Sequence, residues 1–301
     1  MNGLIILLKV PGMTSHDATS AVRRLCGGVK AGHAGTLDPG AAGVLPVLLG
    51  KGTRLLPYLP EEKSYRAEMT LGIVTDTGDA AGDTVAVNET AVTAKQLAEA
   101  FAAHLGAIWQ EPPMTSAVRI GGRRLYELAR RGEEIDRPLR QVFIKEMHIR
   151  SAWPKNVDIF GMGARVLFDV TCSSGTYIRT LCADIGKALG CGAHMSFLLR
   201  TAAAGFRLEQ AVTLEELSDA AEERRLHKYL IPLDGALQHY PQVRLNTAMA
   251  EDLRCGRPLY LKQPAAGAGL LRAYDMTGRF LALIKPGPEP DCWVTERYFG
   301  M

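Results

Sequence analysis

The stretch Gly32-His33-Ala34-Gly35-Thr36-Leu37-Asp38-Pro39, continued by Gly40-Ala41-Ala42-Gly43-Val44-Leu45-Pro46, restricts the fold more than any other. It holds one carboxylate, Asp38, between glycines and prolines. Gly32 and Gly35 permit backbone angles that side chains forbid. Pro39 fixes its own φ and pushes Asp38 toward an extended conformation. The pattern predicts a stiff turn that presents Asp38 and His33 at the rim of a cleft. Taken alone, an Asp-Pro pair also reads as an ordinary turn whose carboxylate accepts backbone N–H bonds. A phosphate-cradling loop is excluded: Gly52 follows Gly50-Lys51, and Leu45 stands where that motif needs its first glycine. One His beside one Asp, with no further ligand at metal spacing, makes a poor zinc site.

A chain of 301 residues with 47% hydrophobic content can bury one large core or two ordinary ones. No apolar run approaches the ~18 residues that cross a membrane, and the start lacks the basic segment and cleavage site of a leader. The six cysteines, Cys26, Cys172, Cys182, Cys191, Cys255 and Cys292, form no C-x-x-C pair. They read as reduced residues of a cytoplasmic protein. The net charge of +3 is modest, but its distribution is not. Between Arg119 and Arg140 seven arginines, among them Arg123, Arg124 and Arg130, face four acids. Arg suits phosphate because its planar fork donates two bonds; a solvated helix face is the plainer alternative.

Periodicity places the elements. Leu4–Lys9 reads as a buried strand, and Ser15 as the N-cap of a helix to about Cys26. Val44–Leu49 is a core strand, Leu55–Leu59 a short helical segment, and Ser64–Leu71 a strand carrying Tyr65. The acids Asp76, Asp79 and Asp83 lack calcium-loop spacing and read as turns. Thr93 with Gln96, and Thr213 with Glu216, are capping boxes for helices to about Leu105 and toward Tyr229. A helix near Arg124–Arg131 sits in the arginine-rich segment. Val142–Arg150 and Ala164–Cys172 alternate as paired strands, and Ser196–Leu199 continues another. Thr176–Leu189 carries an apolar stripe of Ile178, Leu181, Cys182, Ile185 and Leu189. Arg179 falls in its first turn, against the helix dipole, at a cost of roughly 0.3–1 kcal/mol when exposed. That mild conflict hints at a carboxylate partner for Arg179; a surface arginine tolerating its position is the plainer alternative. Residues 242–301 predict a small helix at Ala248–Cys255 and four short strands.

Taken together, Lys9 through Gly12-Met13-Thr14-Ser15-His16-Asp17, the Asp38 stretch, Lys63-Ser64-Tyr65-Arg66, Thr75-Asp76-Thr77-Gly78-Asp79 and Gly175-Thr176-Tyr177-Ile178-Arg179-Thr180 resemble the bacterial tRNA pseudouridine synthase B family. The match is colinear over roughly residues 3–235. Departures are the displaced proline of Lys9-Val10-Pro11-Gly12, Thr115 where a tyrosine is usual, and Arg119 where a lysine is usual.

The resemblance implies an α+β fold, with a mixed, largely antiparallel central sheet flanked by helices. Residues 1–240 would form the catalytic domain, with an arginine-rich RNA-binding insertion at about 114–140. Residues 241–301 would form a small β-barrel-like domain similar to PUA modules. The implied activity isomerises uridine 55 in the tRNA T-loop after base flipping, without a cofactor or metal. Asp38 matches the essential aspartate; it would attack uracil C6, attack C1′ or remove the C2′ proton. Arg179 matches its basic partner, Tyr65 the tyrosine that packs on the base, and Tyr177 and Leu198 the pocket walls. His33 matches a residue that supports the flipped nucleotide. Lys9 would contact the RNA backbone or support the loop; Arg119, Arg123, Arg124 and Arg130 would grip the backbone. The implied partner is the tRNA T-stem-loop, with no membrane and no obligate protein partner, and the chain a monomer. The alternatives are an RNA-binding chaperone, a synthase for another RNA, and a glycosidase, which would need a second carboxylate.

Overall fold

The computed structural model describes residues 1–116, 119–125, 128, 131–133, 135–261 and 269–300, without the side chains of residues 119, 120 and 124. The apolar run Gly3–Lys9 forms β1, which pairs antiparallel with β3, Ala42–Leu49, in the register Gly3↔Leu49 to Lys9↔Gly43. Between them lie helix α1, Ser15–Leu25, and the short strand β2, Ala31–His33, which pairs with the far end of β3. The N-cap of α1 is Thr14, which forms a capping box with Asp17. Ser15, the expected cap, is buried, and its hydroxyl bonds the main chain of Leu37 instead. Two adjacent hydroxyls could serve, and the tertiary partner decides between them.

Strand β4 is Lys63–Leu71, β5 is Gly106–Gln110, β6 is Arg140–Trp153 and β7 is Arg165–Cys172. Helix α2, Ala94–Ala103, carries the expected Thr93–Gln96 box, and α3 is Ile178–Ala188. Strands β8, Ala193–Ala203, and β9, Phe206–Arg207, complete a nine-stranded sheet. Its order is β1-β3-β8-β4-β7-β6-β5, with β2 added to β3 and β9 to β8. Among these pairs β3 with β8 is parallel, and it is short: Leu199↔Ala42 and Arg200↔Gly43. The sheet is therefore two antiparallel halves joined at a narrow seam. Gly43 makes the seam possible, since a Cβ there would sit 2.2 Å from the Arg200 carbonyl oxygen.

Tyr65, Ala67, Met69 and Leu71 alternate along β4 toward one face, where Phe168 and the apolar stripe of α3 pack on them. Phe101 of α2 meets Phe168 edge to face at 5.2 Å, a geometry that adds about 0.5–1.5 kcal/mol beyond area burial. The other half packs Ile5, Leu7 and Leu45 against α1 and against α4, Leu214–Glu222. The Thr213–Glu216 box is present, but α4 stops well short of Tyr229 because Arg224 turns left-handed at φ 56°.

The C-terminal segment forms helix α5, Thr247–Arg254, and a curled five-stranded sheet. Its strands are Gln242–Arg244, Leu259–Tyr260, Leu271–Tyr274, Phe280–Pro286 and Cys292–Tyr298. Leu283 and Phe299 share one apolar cluster with Leu4, Ile6 and Leu48, and Lys51 donates to the carbonyls of Phe299 and Gly300. Five cysteines are buried and Cys255 is exposed; all six are free. Among the described residues no helix is long and apolar enough to cross a membrane.

Candidate active site

The Asp38 turn leaves β2 and enters β3 beside the seam, and it is held from three sides. Ser15 Oγ accepts from Leu37 N at 2.8 Å and donates to its carbonyl at 3.0 Å. Lys9 Nζ donates to the carbonyls of Ala41 (2.7 Å), Val10 (3.1 Å) and Pro39 (3.2 Å). Arg200 donates to Val44 O (2.8 Å), Gly35 O (3.0 Å) and Thr36 O (3.2 Å). Both cations have no exposed surface. Lys9 therefore has no face to offer RNA: of its two expected roles, loop support fits and the backbone contact does not.

Asp38 faces the first turn of α3. Arg179 Nε lies 3.0 Å from Asp38 Oδ2, and this guanidinium is 5% exposed against 36% for the carboxylate. Arg179 Nη1 donates to Thr77 O at 3.2 Å and to the Thr115 hydroxyl, and Nη2 to Thr115 O at 3.3 Å. Nη1 also lies 3.7 Å from Asp79 Oδ2. So a second carboxylate shares the guanidinium, where the motifs revealed none. Asp79 otherwise shapes its turn, accepting from Thr77 Oγ1 at 2.7 Å and Ala81 N at 3.0 Å. Withdrawal from water pushes the Asp38 pKa up; Arg179 and Lys9 oppose this and Asp79 adds to it, leaving it above the ordinary carboxylate value.

Asp38, Tyr65, Tyr177, Arg179 and Leu198 line one cavity of about 300 Å³. Four chain segments thus converge on one hollow. Burial drives the Tyr65 phenol up to about 12, partly countered by the adjacent Arg200 guanidinium. It stays neutral at physiological pH. Tyr177 is the N-cap of α3, and buried Gln110 brackets it: Oε1 accepts from Tyr177 N at 3.0 Å and Nε2 donates to its carbonyl at 3.3 Å. His33 stands outside the lining, on β2; burial and nearby Arg200 push its pKa down, and its buried Nδ1 has no hydrogen-bond partner among the described residues.

The arginine-rich segment enters the site through Thr115 and continues as a small hairpin, Arg119–Ile120 with Arg123–Arg124. Arg123 is exposed and 3.3 Å from Glu133. The side chains of Arg119 and Arg124, and all of Arg130, lie outside the described residues, as does half of the expected helix there. Sequence reading missed Asp79, Arg200 and Gln110 as site residues. The available signal was an arginine inside the apolar run Phe197-Leu198-Leu199-Arg200.

Comparison with known proteins bears on this geometry. Residues 23–178 match the N-terminal domain of the TruB family of pseudouridylate synthases, and residues 179–238 match the C-terminal domain of tRNA pseudouridylate synthase B. The chain belongs to the TruB family. A relative named tRNA pseudouridine synthase B from Moorella thermoacetica is 50% identical over 298 residues, spanning 95% of this chain and 94% of the relative. One of the same name from Alkaliphilus oremlandii is 41% identical over 305 residues, spanning 95% and 98%. Among solved structures, an H/ACA ribonucleoprotein bound to a substrate RNA containing 2′-deoxyuridine aligns with a TM-score of 0.72 at 27% identity, covering 99% of this chain and 85% of that one. A Cbf5-Nop10-Gar1 complex aligns with a TM-score of 0.69 at 29% identity, covering 99% and 84%. The TruB fold and the α+β expectation agree.

Proposed function

We propose that this chain isomerises uridine to pseudouridine in tRNA, at the T-loop nucleotide conventionally numbered 55, with Asp38 as the essential carboxylate. The observation that carries this is the Asp38–Arg179 pair opening onto a cavity walled by Tyr65, Tyr177 and Leu198. Uracil leaves C1′ of its ribose, turns, and rejoins through C5, so C1′–N1 breaks, C1′–C5 forms and the C5 proton moves to N1. No electrons are gained or lost and no group donor enters. The work left to the protein is one ionised carboxylate, a counter-charge and a dry hollow for a detached base. Arg179 supplies the counter-charge and favours ionised Asp38.

A stacked uridine cannot reach this hollow, so the nucleotide flips out, at a cost of a few kcal/mol offset by stacking and phosphate contacts. RNA recognition of this kind targets loops. Arg119, Arg123, Arg124 and Arg130 of the 114–140 insertion grip the backbone, and His33 supports the flipped nucleotide. The small domain from residue 241 acts as a PUA-like RNA contact. The protein works as a cytoplasmic monomer without a protein partner.

A synthase acting in a guided complex is the second reading, favoured by the ribonucleoprotein likeness at 27% identity. The named bacterial relatives at 41–50% identity favour the first. Incubating the purified protein alone with unmodified T-stem-loop RNA, and mapping pseudouridine by mass spectrometry, separates them. Product at the T-loop uridine supports the first; none supports the guided complex.

A further inference from the structure

Two lysines stand near Asp38, and they differ in how their donors are used. Lys9 is wholly buried and donates to three carbonyls. Lys63 lines the cavity with Asp38, Tyr65 and Arg179, and among the described residues its ammonium makes no hydrogen bond and no ion pair. Glu61, the acid that pulls its pKa up, is exposed and accepts instead from Ser174 Oγ at 2.9 Å. Space is kept for Lys63: Gly35 has φ +93°, and a Cβ there would sit 3.1 Å from Lys63 Cε. Around the cavity and its loop, Lys9, Lys63, Arg179 and Arg200 face the carboxylates Asp38 and Asp79, an excess of positive charge. A half-buried ammonium without a partner is costly, and an anion offsets that cost.

We propose that Lys63 binds a phosphate flanking the flipped uridine, a contact that rests on the reading of this cavity as a uridine pocket. Position selects phosphate over a uracil carbonyl. Lys63 opens β4 next to the exposed pair Glu61 and Glu62, whereas Tyr65 lies one pleat deeper on the same face. Two residues of strand span about 6.6–6.8 Å, comparable to the reach from a pyrimidine ring to its own phosphate. A base packed on Tyr65 places its phosphodiester at Lys63, and lysine serves phosphate as a point charge. Withdrawal from water, with Arg200 nearby, lowers the Lys63 pKa, as expected of a cation awaiting its anion.

The test uses three T-stem-loop RNAs: all-phosphate, and two with a neutral methylphosphonate on either side of the target uridine. On all-phosphate RNA, Lys63→Met loses about tenfold in kcat/KM and Lys63→Arg recovers most of it. On the RNA whose contacted linkage is neutral, Lys63→Met costs nothing further. The unaltered protein gives an independent reading, since one neutral linkage must itself cost about tenfold. Lys63→Met matching the unaltered protein on all-phosphate RNA overturns the proposal. So does a full Lys63→Met loss on both neutral-linkage RNAs, or indifference of the unaltered protein to both. Absence of product from the unaltered protein on all-phosphate RNA is a distinct failure, that of the reading as a stand-alone T-loop synthase.

Discussion

Arg179 Nε lies 3.0 Å from Asp38 Oδ2, at the first turn of a helix where a cation opposes the dipole. The pairing explains the position. A charge-assisted bond in a largely enclosed site, worth about 1.5–3 kcal/mol, outweighs a dipole penalty of roughly 0.3–1 kcal/mol. The same guanidinium is fixed by Thr77, Thr115 and Asp79, so it meets Asp38 in one orientation.

Asp79 raises the Asp38 pKa through like charge while anchoring Arg179. Asp79→Asn removes the repulsion, so the acid limb of the kcat/KM profile moves to lower pH. The anchor weakens at the same time, and the plateau rate falls roughly tenfold, as for loss of one charged contact. Single-turnover rates from pH 4.5 to 8 measure both.

Lys9 carries a pKa lowered to about 8, chiefly by burial, with Asp38 pulling it up and Arg200 pushing it down. Unfolded lysine holds its proton to about 10.4. Between these values the unfolded chain binds a proton that the folded one lacks, so stability from this group rises with pH. It is lost as pH falls through about 8. Urea denaturation at pH 7.5 and 10 is expected to show a Lys9→Met defect larger at pH 10, by on the order of 2 kcal/mol.

Arg200 is wholly buried and holds the carbonyls of Gly35, Thr36 and Val44. Arg200→Met leaves these acceptors without donors, each worth about 1–3 kcal/mol when buried and unsatisfied. The expected loss is about 3 kcal/mol in urea denaturation. Arg200→Lys regains less than half, because a single ammonium cannot reproduce the three separate guanidinium nitrogens that reach these carbonyls.

Local rules made much of this legible. Capping boxes at Thr93 and Thr213, the alternation of Ser64–Leu71 and the stripe of Ile178–Leu189 each depend on neighbours in sequence. The Arg179 dipole conflict hinted at a carboxylate partner, and Asp38 lies 3.0 Å from its Nε. What escaped depends on chain segments far apart. Asp79 reads correctly as a turn residue, yet its second oxygen faces Arg179 only once α3 docks. The partners of Lys9 and Arg200 are carbonyls of the Asp38 loop, which come within reach only when that loop folds over them. Ser15 loses the cap to Thr14 because Leu37 claims it from 22 residues away.

The most direct measurement compares unaltered protein with Asp38→Asn on unmodified T-stem-loop RNA, following pseudouridine formation and RNA affinity together. Asparagine keeps the shape of the turn and removes its charge. Asp38→Asn is expected to form no pseudouridine while binding the RNA within a few-fold of the unaltered protein. Pseudouridine formed by Asp38→Asn at a rate near that of the unaltered protein would contradict the central role given to this carboxylate.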